Sequence, residues 1–172
     1  KIKNGEHSGL AAGHYHRLRE DFALAKNLGH NAHSFSIEWS RIEPRQGKFD
    51  TVEVEHYRQV LEELNRQGIQ PIVTLHHFTN PTWIHDLGSW VNPKTIQLYV
   101  RYVDYIIRQL GHLATYWITI NEPTVKTSLG YLTKWWPPER GNAVVAWWAI
   151  RNMSVAHNKA YQIIHRHQPG AK

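Results

Sequence analysis

The sequence predicts an α/β fold, with about three parallel strands and flanking helices. Three observations carry this. Helix-period and strand-period segments alternate along the chain. The run IQPIVTL is continuously apolar, as in a strand buried on both faces of a sheet. Each strand-like segment runs at its carboxyl end into hydrogen-bonding side chains. A chain of 172 residues, 41% hydrophobic and 20% charged, suits one soluble globular domain over residues 1–172 with a real core.

In chain order, HRLREDFALAKNLG places Leu18, Phe22, Ala25 and Leu28 on one helical face and stops at Gly29. NAHSFSI follows as a short strand, and EWSRIEPRQGKFD as a long polar loop ending at Asp50. Asp50 with Glu53 reads as a capping box opening the next helix, whose core face carries Tyr57, Val60, Leu61 and Leu64. After IQPIVTL, Asn92 and Pro93 start a helix with Ile96, Tyr99, Val103, Ile106 and Leu110 inside, closed by Gly111. TYWITI is the third strand, and a long helix covers roughly 143–167.

Composition excludes some function classes. There is no cysteine, hence no disulfide and no thiol catalysis. The longest apolar stretch, AVVAWWAI, is too short to span a bilayer, so no membrane partner is expected. KIKNGEHSG is not a signal peptide, which points to a cytoplasmic location. The net charge of +6 comes from scattered Lys and Arg, the pattern of a solvated surface and not of a nucleic-acid stripe.

Two architectures fit the alternation: a doubly wound sheet, or part of an eight-stranded barrel. No G-x-G-x-x-G or G-x-x-x-x-G-K-[ST] follows a strand, which removes the usual support for nucleotide binding. The strand ends favour the barrel. The first runs into Ser36 and Glu38, the second into His76 and His77, and the third into Asn121 and Glu122. In barrels, catalytic groups gather at the carboxyl ends of several strands.

FSIEWSRIEP, TLHHFTNPTWI and YWITINEP resemble, in order and spacing, three successive motifs of glycoside hydrolase family 1, the retaining β-glucosidases and their relatives. HYHRLREDFALAKNLGHNAH and WVNPKTIQLYVRYVDYIIRQLG resemble two of the family's helices. The resemblance implies a segment of a (β/α)8 TIM barrel holding its second, third and fourth strands. It also implies hydrolysis of β-linked glucosides or galactosides with retention, without a cofactor. Glu122 then inherits the general acid/base role, Asn121 the contact to the sugar 2-hydroxyl, and His77 a bond to another sugar hydroxyl. On this reading Glu122 needs burial or a negative neighbour to stay protonated, and Pro123 keeps it out of the helical region at the strand tip. Trp83, Trp135 and Trp136 lie in regions that face the family's sugar cleft. Packing is the default reading for each, with Trp135 and Trp136 the better candidates for stacking on sugar.

The resemblance also implies what is missing. The family nucleophile lies in a T-E-N-G motif, which does not occur in these 172 residues. Glu38 and Glu43 are tempting substitutes, but the family uses neither, and Glu38 is expected to partner nearby Arg or His. The family usually has Arg where Ser34 stands and Asp where Gly13 stands. Among 13 histidines, His14, His16, His76 and His77 suggest a metal, yet no carboxylate completes a ligand set, so no metal is expected. Arg41 is expected in an internal ion pair, and at most one of Trp147 and Trp148 in the core. The competing class is a non-catalytic barrel segment that binds sugar weakly or assembles. Edges NAHSFSI and TYWITI would be unpaired, and the apolar set Phe35, Ile37, Val73, Leu75, Trp117 and Thr119 could not all be buried. Self-association, or pairing with a complementing barrel segment, is expected from this.

Overall fold

The computed structural model describes residues 3–7, 9–139 and 141–172. Its elements are α1 (His14–Asn27), β1 (Ala32–Ser36), α2 (Trp39–Ile42), α3 (Thr51–Arg66), β2 (Gln70–Thr74), α4 (Thr82–Asp86), α5 (Lys94–Leu110), β3 (Tyr116–Ile118), α6 (Pro123–Thr127) and α7 (Ala143–His167). The strands form one parallel sheet in the order β1-β2-β3. Phe35 pairs with Val73, and Val73 with Trp117. This is a segment of a (β/α)8 barrel, with helices packed against one face of the sheet.

Local chemistry starts the helices. The Asp50 carboxylate accepts from the N–H groups of Val52 and Glu53 and caps α3. The reciprocal half of a capping box does not form, because the Glu53 carboxylate goes to Arg41 and Tyr15. Asn92 Oδ1 accepts the Lys94 N–H and opens α5. α5 then buries Ile96, Tyr99, Tyr102, Val103, Ile106, Ile107 and Leu110. α7 packs on α5 through small residues, with Ala146, Ala149, Met153, Ala156 and Ala160 buried.

The polar loop after β1 is partly helical. α2 lies inside it and fully buries Trp39 and Ile42, so Glu38–Ile42 is scaffold for the strand end. α4 is likewise an element that periodicity does not show. Leu28 lies beyond the end of α1 and is 69% exposed. α1 packs on α3 and meets β1 through the Phe22–His33 ring contact, and only Phe22 of its expected face is fully buried, with Leu18 and Ala25 partly so. Trp147 and Trp148 are both exposed and neither enters the core.

The apolar set is covered more fully than expected, with Phe35 alone only partly buried. Ile37, Val73, Leu75, Trp117 and Thr119 are buried, and Phe35 stacks on Tyr57 of α3. These residues point toward the helices. On the other face Ala32, Ser34, Ser36, Ile72, Tyr116 and Ile118 are exposed or partly so, and Thr74 of the central strand is buried. The β3 edge is also not wholly free. Lys172 N–H donates to Thr115 O and Lys172 O accepts from Trp117 N–H, both at 2.8 Å, which is one rung of a parallel ladder.

Candidate active site

The ladder continues past the strands and aligns their ends. Ile37 N–H donates to Thr74 O, Leu75 N–H to Ile118 O, and Asn121 N–H to His76 O. Side chains then link the three ends. Ser36 Oγ lies 3.0 Å from His77 Nδ1, and Asn121 Nδ2 lies 3.5 Å from His77 Nε2. With Asn121 donating to Nε2, the network places the ring proton on Nδ1, donating to Ser36. His77 and Asn121 are thus brought together, with Ser36 as a third member that sequence reasoning placed at a strand end but gave no role.

Glu122 follows directly. Its backbone is left-handed, φ 42° and ψ 58°, and it stands at the N-cap position of α6 without a side-chain capping bond. Pro123 does exclude the right-handed helical region for Glu122. The strand is nevertheless not extended to its tip: the chain turns sharply at Glu122. A non-glycine residue held there costs about 1–3 kcal/mol, and such strain gathers at functional sites. The expected burial or second carboxylate is not met among the described residues. Glu122 is exposed, and its carboxylate has no hydrogen-bond or ion-pair partner among them.

The two histidines diverge, as adjacent residues at a strand end should. His76 is buried, donates from Nε2 to Asn80 Oδ1 at 2.9 Å, and packs edge-on against Trp90. Burial lowers its pKa to about 4, so it is neutral at pH 7. His77 is exposed toward Phe78, whose ring meets Trp136 edge-on at 5.1 Å. Trp136 therefore borders the strand ends. Trp135 is 79% exposed and has no ring partner among the described residues, so it is not brought to the same cluster. Trp83 is scaffold: its indole donates to Glu43 O and packs edge-on against Trp39.

Glu38 and Glu43 are both engaged elsewhere. Glu38 accepts from Ser40 and from Thr79 Oγ1, and not from Arg or His as expected, because it caps α2. Glu43 is completely buried and accepts from Trp39 Nε1, Gly47 N–H and Arg101. Arg41 pairs with Glu53 at 2.9 Å, but at the surface, with its side chain 41% exposed. His14 bonds to Asp21 at 2.7 Å. Gly13 has φ 67°, a left-handed position that suits glycine, and Ser34 is exposed on the uncovered face.

Two grooves lie near these elements. One, of about 1040 Å³, runs between α1 and α3 and is lined largely by charged and polar residues. The other, of about 490 Å³, runs along β3 beside α7 and includes Thr119, Pro123 and His157. Neither is lined by His77, Asn121 or Glu122, which stand on an open surface. The sequence gives no sign of Phe78, whose ring joins His77 to Trp136, or of the buried Lys126 of α6.

Comparison with known proteins agrees with this geometry. The family model "Glycosyl hydrolase family 1" matches residues 1–172. Beta-glucosidase 47 of Arabidopsis thaliana is 35% identical over 167 residues, covering 92% of this chain and 31% of that protein. Coniferin beta-glucosidase of Pinus contorta is 38% identical over 142 residues, covering 81% and 28%. A family 1 β-glucosidase structure from Thermotoga maritima, in complex with isofagomine lactam, superposes with a TM-score of 0.94 at 30% identity, covering 99% of this chain and 39% of that one. The chain spans about a third of the length of the curated relatives it matches. With its three motifs at three adjacent strand ends and its whole length matched, this chain belongs to glycosyl hydrolase family 1.

Proposed function

We propose that this chain forms the acid/base portion of a retaining β-glycosidase site, from the second, third and fourth strands of the barrel. Glu122 protonates the glycosidic oxygen as the bond breaks, and later takes a proton from the incoming water. Asn121 holds the sugar 2-hydroxyl and His77 another hydroxyl. Trp136, with Trp135 at the rim, offers an aromatic face to the substrate. The substrate class is β-linked glucosides or galactosides. The observation that carries this reading is the Ser36–His77–Asn121 chain of contacts, which fixes two sugar-binding candidates next to an unpartnered Glu122.

Retention needs a second carboxylate about 5–5.5 Å from the first. Glu38 and Glu43 have their own partners, so neither is free to act as that second carboxylate. The 172-residue chain alone is therefore expected to release no nitrophenol from aryl β-glucosides above background.

The positive test is a chimera in which residues 1–172 replace the matching segment of the Thermotoga maritima enzyme. Glu122→Gln should slow hydrolysis of methyl β-glucoside by about 10²–10⁴-fold, the usual worth of a general acid. It should slow cleavage of a dinitrophenyl glucoside much less, since that leaving group needs no proton. An equal fold-loss on both substrates, or no loss on either, would remove Glu122 from the role. A second reading, a non-catalytic sugar-binding or assembling segment, is favoured by the exposure of Glu122. A folded but inactive chimera would support it.

A further inference from the structure

Lys126 lies four residues after Glu122, is buried, and donates one hydrogen bond, Nζ to the Pro137 carbonyl at 2.8 Å. No carboxylate pairs with it among the described residues. An ammonium has three donors and is strongly hydrated in water, so burying it against one neutral carbonyl is costly. Burial lowers its pKa to about 8. If this position only filled space, methionine would serve better.

The carbonyl it reaches is held from another side as well. A Cβ built on Gly130 would stand 3.0 Å from Pro137 O and 3.4 Å from Pro138 Cδ, so the loop rests directly on that glycine. The loop is compact: the N–H groups of Trp135 and Trp136 both donate to Leu129 O, and Glu139 N–H to Trp136 O. Pro137 and Pro138 have φ fixed by their rings, and Trp136 is restricted by the proline after it. Few torsions therefore separate the Pro137 carbonyl from the Trp136 indole.

We infer that Lys126 is a positioning residue: acting through the Pro137 carbonyl, its ammonium sets the Trp136 indole edge-on against Phe78 at the carboxyl end of the sheet. That this indole borders a bound sugar rests on the proposed function. Its placement by Lys126 does not.

The test uses the 172-residue chain labelled with 5-fluorotryptophan, with the Trp136 signal assigned by Trp136→Phe. Phe78→Leu gives the shift that marks loss of the edge contact. Lys126→Met is expected to move the Trp136 signal the same way and leave Trp39 and Trp90 unmoved. Its thermal midpoint should be unchanged or higher, because a buried charge has been removed. The chain has no cysteine of its own, so Lys126→Cys, aminoethylated before refolding, rebuilds an ammonium and should restore the signal. A Trp136 signal unmoved by Lys126→Met overturns the inference. If that variant does not fold, the wild-type lysine ammonium protons decide. Slow exchange with solvent at Lys126 supports the anchor, and exchange as fast as for a surface lysine overturns it. Phenyl β-glucoside added to the wild type tests the sugar reading separately. No response at Trp136, His77 or Asn121 would sink the sugar site while leaving the placement of Trp136 intact.

Discussion

At the scale of single residues, the most informative side chains are those that burial has forced into one state. His76 is neutral because it is enclosed by Trp90 and Tyr99, a burial that outweighs the opposing effect of its hydrogen bond to Asn80. The unfolded chain protonates such a ring near pH 6.5, the folded protein only near pH 4. Between those values unfolding takes up a proton, so stability falls as pH drops from 6.5 to 4. The loss approaches about 3 kcal/mol at the lower end. Urea titrations at pH 7 and 5 should show this slope, and His76→Gln should flatten it. A slope unchanged by that substitution would mean other groups carry the acid sensitivity. Glu43 makes a different prediction. Glu43→Gln leaves the partly solvated Arg101 beside a neutral amide and removes an acceptor from Trp39 or Gly47. The expected cost is about 2–4 kcal/mol, the lower part of the range for breaking a buried pair. A loss below about 0.5 kcal/mol, the usual worth of a surface pair, would show that Glu43 is not a structural anchor.

At the scale of elements, the sheet is fastened to α5 by Tyr102, whose hydroxyl lies 3.3 Å from Ile37 O and 3.1 Å from Leu75 O. Those carbonyls sit just before the strand-end groups, so this contact bears on the spacing of Glu38 and His76. Tyr102→Phe should cost about 1–2 kcal/mol, the penalty of leaving buried acceptors short of a donor. The α5–α7 contact makes a steric prediction. Ala149, Ala156 and Ala160 are completely buried there, and small residues let the two helices approach. Ala156→Leu should destabilise by about 1–3 kcal/mol through overpacking. Calorimetry of the variant checks this, and an unshifted midpoint would indicate a slack interface.

At the scale of the whole molecule, one face and one edge of the sheet lack cover among the described residues. The face mixes polar and apolar groups: Ala32, Ser34 and Ser36 beside Ile72, Tyr116 and Ile118. β1 offers an unpaired edge, while Lys172 takes up the start of the β3 edge. An unpaired parallel edge is a template for another strand. The 172-residue chain is therefore expected to self-associate. Light scattering across a dilution series should show a mass above 20.1 kDa at high micromolar concentration. Ile118→Lys should weaken the association by placing a charge on the open face. A cooperative monomer at all concentrations would show that the exposed face is tolerated in water.

The sequence by itself determined the order of the three strands and the four long helices, their parallel arrangement, and the meeting of His77, Asn121 and Glu122 at one end of the sheet. These are legible because periodicity, caps and strand ends are local properties, read within a few residues. The three motifs carried the family for the same reason. Tertiary structure decided the rest. Which face of each strand the helices cover depends on α3, α5 and α7 packing together, and strand alternation is the same for both faces. Trp135 and Trp136 are adjacent, yet Phe78, far back along the chain, selects only Trp136. Glu38 and Glu43 read alike as loop carboxylates until Thr79 and Arg101 reach them from 41 and 58 residues away. The left-handed turn at Glu122 and the burial of Lys126 are outcomes of the same kind, since both are imposed by contacts that no local pattern encodes.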